Sequence, residues 1–393
     1  MTNFNLPDNT PVIVGVGDII DKRKVNGPDP LTLLGQASEL AFQDSGIKNV
    51  IDYLDAIGVV RFSVDFSTAT NQSRFGYSNF PRSLANKIGV KKDISELYSG
   101  MGGNAPQVLL QEISKKIHAN EIHCALISGG EVLQTMISKL KSGEKLNWED
   151  SAGGKPEIIG INDEGFSEEE KKHYMDLPSN VYPIFANAIR SSKSQSSEEH
   201  LKECSELFSK FSKVASLNPK AWFPKFRTPE EIEEISDSNR LVGFPYTKYL
   251  NSMIRVNMAS SLVVMSEKLT KELKIPQNKK IYIHGSCVLN DIWNVSKRPS
   301  LNESPAIREC GKEVLSQAGI SLSEISFLDI YSCFPSAVQI AQKELSLDSN
   351  DDRPLTVTGG LPYFGGPGNA YTMFSSSEMI KKLRSNPNEY GMV

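Results

Sequence analysis

The chain has 393 residues, 39% hydrophobic and 23% charged, with 43 lysines and arginines against 47 aspartates and glutamates for a formal net charge of -4. This is ordinary globular composition at a length that asks for more than one packed unit. A mildly acidic chain is a poor match for nucleic acid or an anionic membrane surface, and no apolar run reaches the length of a membrane span. Five cysteines (Cys124, Cys204, Cys287, Cys310 and Cys333) lie scattered without C-x-x-C spacing. That usage fits reduced thiols better than a disulfide framework or a zinc site. No basic stretch followed by an apolar one opens the sequence, so a cytoplasmic location is expected.

In chain order, residues 11–17 (Pro-Val-Ile-Val-Gly-Val-Gly) read as a short buried strand ending in a glycine turn. A helix is predicted from about Leu31 to Asp44, with Leu34, Ala37, Leu40 and Ala41 at helical spacing and Gly46 as its stop. Residues 54–60 read as a second strand, and this strand–helix–strand alternation marks a mixed or parallel sheet covered by helices. Gly102-Gly-Asn-Ala-Pro106 leads into a helix ending at Ile117, then a strand from Cys124 to Ile127. Residues 141–245 are rich in charge and serine, with an amphipathic helix over 201–217 whose Leu207, Phe208, Phe211 and Val214 share one face. They are predicted to be an insertion that closes over a site, its charge runs solvated. Residues 257–266 read as one more buried strand of the first half.

The same grammar returns in the last third of the chain. Lys280 to Gly285 reads as a strand ending in glycine, Ser304 to Gln317 as a helix stopped by Gly319, and Phe327 to Tyr331 as a strand. Gly365-Gly-Pro-Gly-Asn-Ala370 leads into a helix ending at Leu383 and then Tyr390 to Val393. Three matching segments in one order predict an internal duplication; the alternative is that α/β units all look alike at this level. The domains expected are a first half over 1–140 completed by 246–276, a helical domain over 141–245, and a second half over 277–393. The second copy stops at the position matching Ile127. Its final strands are therefore expected to be missing, with an unpaired sheet edge where they would lie.

On these residues the chain resembles the thiolase superfamily, across nearly its whole length. Leu126-Ile-Ser-Gly-Gly-Glu131 is similar to the strand and Gly-x-Glu that follow the thiolase nucleophile helix. Residues 257–266 resemble its Asn-Asp-Gly-Ala-Ala strand. Asp329-Ile-Tyr-Ser-Cys-Phe334 stands where thiolases carry Asn-Glu-Ala-Phe or His-Asp-Cys-Phe, and residues 359–368 where they carry a Gly-His-Pro loop. The wording of 102–107, 243–248, 331–336 and 358–362 looks like the type-1 thiolase-like proteins, usually labelled acetyl-CoA acetyltransferases, which carry an additional C-terminal domain. The resemblance implies an α/β thiolase fold of duplicated βαβαβαββ halves in five layers (α-β-α-β-α), with a helical loop insertion. It also implies an acyl-CoA ligand, with coenzyme A as substrate or ligand and no permanently bound cofactor or metal. Acyl transfer in lipid metabolism would go with that ligand; the alternative is a non-catalytic acyl-CoA binder or a regulatory partner of a true thiolase. Homodimer and monomer are both compatible with it.

The departures bear on chemistry. A thiolase needs a cysteine at the start of its nucleophile helix, where the helix N-terminus lowers the thiol pKa. Gly102, Gly103 and Asn104 hold that place here, and Gly366 replaces the histidine of Gly-His-Pro. The catalytic candidates that remain are Cys333 and Tyr331. Cys333 precedes Phe334-Pro335 at a predicted helix start and is either a displaced nucleophile or a small buried residue. Tyr331 could donate its phenol hydrogen to a thioester carbonyl, or be a half-buried aromatic with a satisfied hydroxyl. The binding candidates are Gly102, Gly103, Asn104, Gly365, Gly366 and Pro367, whose loops can aim backbone N–H groups at a ligand oxygen or serve only as tight turns. His284 reads as structural, and His118, His123, His173 and His200 as surface.

Overall fold

The computed structural model describes residues 6–23, 26–63, 65, 76–161, 165–348 and 351–393. In chain order its elements are β1 (Pro11–Ile20), α1 (Pro30–Ser45), β2 (Ala56–Val59), α2 (Phe80–Ile88), β3 (Ser95–Ser99), α3 (Ala105–His118), β4 (Cys124–Val132), α4 (Leu133–Lys141) and β5 (Glu157–Ile159). Then follow α5 (Glu168–Lys172), α6 (Pro178–Ser192), α7 (Ser197–Leu217), α8 (Pro229–Glu233), β6 (Leu241–Gly243), β7 (Tyr246–Thr247) and β8 (Asn257–Ser266). The rest are α9 (Glu267–Glu272), β9 (Ile281–Tyr282), α10 (Pro305–Ala318), β10 (Ile325–Leu328), α11 (Pro335–Glu344), α12 (Tyr371–Ser385) and β11 (Tyr390–Met392). The chain divides into two units, one of Met1–Asp163, Ile254–His284 and Pro367–Glu389, the other of Glu164–Met253, Gly285–Gly366 and Tyr390–Val393.

The first unit is built on a seven-stranded sheet of order β5-β3-β2-β4-β8-β1-β9. Strands β5, β3, β2 and β4 run parallel, while β8 pairs antiparallel with both β4 and β1. One face is covered by α1 and α2, whose Leu33, Leu34, Ala37, Ala41, Leu84 and Ala85 join Val12, Val14, Ile57 and Val59 in one core. On the other face Gly58 of β2 meets Leu109 and Ile113 of α3, and Gly129 of β4 meets Met373 of α12. The alternation of side chains along a strand assigns these residues to opposite faces.

Helix boundaries follow local chemistry. Asp29 caps α1 by accepting the Thr32 N–H at 2.8 Å, with Pro30 in the first turn, and Gly46 ends it at φ 70. Ser304 and Gly319 do the same for α10.

Two strands differ from the sequence expectation. β1 does not turn at its glycines but runs through them to Ile20. A Cβ on Gly17 would stand 2.3 Å from Ala37 O and Ala41 N, so the glycine is there to let α1 lie against the strand. The strand expected over 280–285 is short, and its β9 pairs with β1 at the edge of the seven-stranded sheet.

The second unit is mainly helical. Phe185 and Ile189 of α6 pack on Ile340 of α11, with Val295, Leu301 and Ile307 around them. Phe208 and Phe211 of α7 stack at 5.3 Å, and Phe208 meets the Tyr363 ring edge-on at 6.4 Å. Among the described residues, β10 pairs in parallel with β11 in a sheet of two strands.

Because Gly17 has no room for a side chain, Gly17→Ala is expected to cost about 2–3 kcal/mol through overpacking of α1 on β1. Urea unfolding of both proteins checks this, and an unchanged midpoint would refute it.

Candidate functional site

In the first unit, α3 opens on Gly102, Gly103 and Asn104. Gly102 takes φ 137, and its N–H donates to Asn369 Oδ1 at 3.2 Å. Asn369 Nδ2 donates in turn to Arg61 O at 2.9 Å, and Thr372 Oγ1 to Gly103 O at 3.3 Å. Gln107 of α3 reaches Ser376 of α12 at 3.0 Å, so the two helices lie together with their N-termini at one end. Their aligned dipoles favour negative charge or a carbonyl oxygen there, with no side-chain nucleophile at the start of α3.

Beside this end sits Glu131, the last acid of the Gly-x-Glu motif, 1% exposed. Its Oε1 accepts the Ser63 N–H at 2.6 Å and its Oε2 has no partner among the described residues. Burial pushes the Glu131 carboxyl up to about 8, with the nearby Asp65 carboxylate adding to the effect. Ser63 opposes both and loses, so Glu131 is a neutral acid at pH 7. Gly368, at φ 49, is what lets the loop pass: a Cβ there would stand 2.6 Å from Glu131 Oε1.

In the second unit, Cys333 lies just before α11, whose first turn holds Pro335. Three influences favour its thiolate: the Tyr182 hydroxyl and the backbone N–H groups of Phe334 and Cys333 itself. Burial outweighs them and pushes the thiol up to about 12. The ring of Tyr182 stacks on Phe334 at 4.4 Å, covering the sulfur's neighbourhood from the inserted helix α6. The helix N-terminus is also already engaged, since Ser336 N donates to Tyr246 Oη at 3.1 Å. Cys333 is thus a buried thiol and not a poised nucleophile. Tyr331 is half-buried after β10, close enough to Tyr182 to influence it electrostatically.

Ser252 and Met253 bring Cys333 and the second glycine loop together. Ser252 N donates to Cys333 O at 3.1 Å, and Gly366 N to Met253 O at 3.1 Å. A Cβ on Gly366 would stand 2.0 Å from Ser252 Oγ, so a side chain there would require that hydroxyl to turn away. Gly365 takes φ 125 to make this turn, and Pro367 O accepts the Ala370 N–H at 2.9 Å. Gly102 is held by Asn369 and Gly103 by Thr372, whereas Gly366 and Cys333 meet at Ser252–Met253.

Sequence reasoning passed over three residues here. Asn369 repeats the Gly-Asn-Ala of Gly103-Asn104-Ala105, and that repeat was its only signal. Glu131 was visible as a motif residue but not as a neutral acid. Asp329 holds the 356–360 loop, its Oδ2 accepting from Thr356 Oγ1 at 2.9 Å and Val357 N at 2.8 Å. One histidine departs from expectation. His200 is fully buried in α7, its Nε2 3.6 Å from Cys204 Sγ, because it falls on the helix's inward face with Cys204 one turn on. Among the described residues no group of three His, Cys, Asp or Glu is placed to hold a metal, and no helix is long and apolar enough to cross a membrane.

No protein-family model matches the sequence, and no curated protein matches it. Solved structures do. The chain is similar to a monomeric SCP2-thiolase-like protein type 1 from Mycobacterium smegmatis, at 30% identity and a TM-score of 0.81, over 98% of this chain and 74% of that one. Human mitochondrial 3-ketoacyl-CoA thiolase, solved in complex with CoA, matches at 15% identity and a TM-score of 0.66 over 98% of this chain and 94% of its own. An acetyl-CoA acetyltransferase from Syntrophomonas wolfei matches at 16% identity and a TM-score of 0.66, over 96% and 94%. The last two share the fold alone.

Two outcomes follow from the buried groups. Glu131 ionises near its ordinary 4.5 in the unfolded chain and near 8 in the folded one. Between those values the native state holds a proton that the unfolded state has released, so stability falls as pH rises, and the loss is complete above about 8. Glu131→Gln should flatten that part of the profile, and melting curves across the range that stay parallel for the two proteins would contradict it. Cys333 should resist iodoacetamide in the native protein at pH 8 and react once urea is added. Native labelling at the rate of a small free thiol would show the burial to be wrong.

Proposed function

The chain belongs to the thiolase superfamily, and from that premise we propose that it binds a CoA thioester without forming a covalent acyl-enzyme. The observation that carries the reading is the start of α3. Gly102, Gly103 and Asn104 stand there in place of a thiol, with Gly102 held by Asn369. A helix N-terminus of this kind keeps its attraction for a carbonyl or anionic oxygen when the nucleophile is gone, because backbone donors do not depend on the lost side chain.

Gly103 and Asn104 are the proposed binding groups at α3, and Gly365 that of the second loop, where Gly366 has committed its N–H to Met253 O and Pro367, which has none, only shapes the turn. Gly102 has already committed its N–H to Asn369 and acts by shaping the turn. Tyr331, half-buried after β10, is the proposed donor to a thioester carbonyl. The burial of Cys333 weighs against acyl transfer through its sulfur, which leaves ground-state binding as the better supported role. The relative from M. smegmatis is monomeric, which supports a monomer here, to be checked by light scattering.

Calorimetry with acetyl-CoA, competed by CoA, is the direct test, run beside an assay of acetoacetyl-CoA cleavage. Binding in the micromolar-to-millimolar range is expected with no CoA-dependent cleavage, since removing the members of a catalytic unit approaches total loss. Measurable thiolysis would overturn the non-covalent reading. Absence of both heat and thermal shift at millimolar ligand would overturn thioester binding itself.

A further inference from the structure

Residues 285–291 lie along α10 as a strap tied at both ends. Near the C-terminal end of the helix, Ser286 N donates to Gln317 Oε1 at 2.9 Å, and a Cβ on Gly285 would stand 2.7 Å from Val314 O. At the N-terminal end, Asp291 accepts from Ser304 Oγ at 2.6 Å and from Ala306 N at 3.1 Å. The strap therefore runs antiparallel to the helix, and its middle faces the middle of α10, where Cys310 sits. There Cys310 lies close enough to Cys287 and to the Leu289 backbone for both to act on its thiol. Both cysteines are free and half-buried, unlike the buried Cys124, Cys204 and Cys333.

We propose that Cys287 and Cys310 form a redox-active dithiol that closes to an intramolecular disulfide when the protein meets a small-molecule disulfide. The anchors at Gln317 and Asp291 already hold the two segments side by side, so closure orders little that is not ordered already. Cys287 loses its proton and attacks one sulfur of the oxidant, RS–SR. The Cys287–SR mixed disulfide forms and the first RS⁻ departs as RSH. Cys310 then gives up its proton and attacks the Cys287 sulfur, displacing the second RSH. Two S–H bonds are lost, one S–S bond forms, and the oxidant is reduced to two thiols. The same exchange with the roles reversed, Cys310 attacking first and Cys287 resolving, ends in the same disulfide. The disulfide would fasten the strap to the helix whose Arg308 pairs with Glu344 of α11 at 2.6 Å.

The full chain, reduced and freed of reductant, is incubated with oxidised glutathione, quenched in acid, unfolded, alkylated and mapped by mass spectrometry. Two of the five thiols should be lost, with a Cys287–Cys310 cross-linked peptide that dithiothreitol reverses. Cys310→Ser should instead accumulate a stable glutathione adduct on Cys287, and Cys287→Ser should give no cross-link, with circular dichroism confirming that both variants fold. The proposal fails if all five thiols survive, if both cysteines carry separate adducts without a cross-link, or if the cross-link joins a different pair.

Discussion

All ten residues of β8 are buried between β4 and β1, paired antiparallel on both sides. The seven-stranded sheet is continuous only because this strand fills that slot, and the strand arrives from beyond the inserted region. Its register pairs Val132 with Asn257, and Gln134 N donates to Val256 O, so the chain leaves and re-enters the sheet at adjacent points. The strand also carries hydroxyls into the interior. Ser261 Oγ donates to Ser128 Oγ at 2.8 Å, and Ser260 Oγ to Asp18 Oδ1 at 2.8 Å. Asp18 is further held by Ser377 and by an ion pair with Lys381 of α12. An unpaired buried polar group costs about 1–3 kcal/mol, so these bonds select one register and one placement of α12 over the sheet.

Burial decides the chemistry of both ionisable candidates, in opposite senses for function. At Cys333 the helix N-terminus and the Tyr182 hydroxyl favour a thiolate, yet desolvation is larger and the group stays a thiol. At Glu131 the same cost keeps a carboxyl protonated beside Asp65 and makes it a neutral acid next to the glycine loop. Charge is expensive in both places because neither has a fully compensating partner. Proximity to a helix start is therefore a weaker guide to reactivity than the solvent left around the atom.

The two glycine turns are each held by a neighbour. Asn369 accepts the Gly102 N–H, and Ser252 occupies the volume beside Gly366. A side chain at 366 would require the Ser252 hydroxyl to turn away first.

Periodicity and capping made much of the fold legible: α1 with Gly46 as its stop, α10 between Ser304 and Gly319, α7, and β8 all follow from patterns a few residues long. The resemblance carried by Gly102-Gly-Asn, residues 329–334 and the glycine loop identified the superfamily, which the relative at 30% identity bears out. Other features needed the folded chain. Whether Gly17 makes a turn or a close contact depends on α1 lying against it, and the partner chosen by β9 depends on which sheet edge is within reach. Asn369 became a site residue only by meeting Gly102. The state of Cys333 hung on Tyr182 and Tyr246, which come from a part of the chain far from it in sequence. Local propensity acts within a turn or a strand, and the sequence alone determined what lies on that scale. Desolvation and packing sum over neighbours from the whole unit, so the protonation of Glu131, the burial of His200 and the laying of residues 285–291 along α10 were decided by tertiary structure.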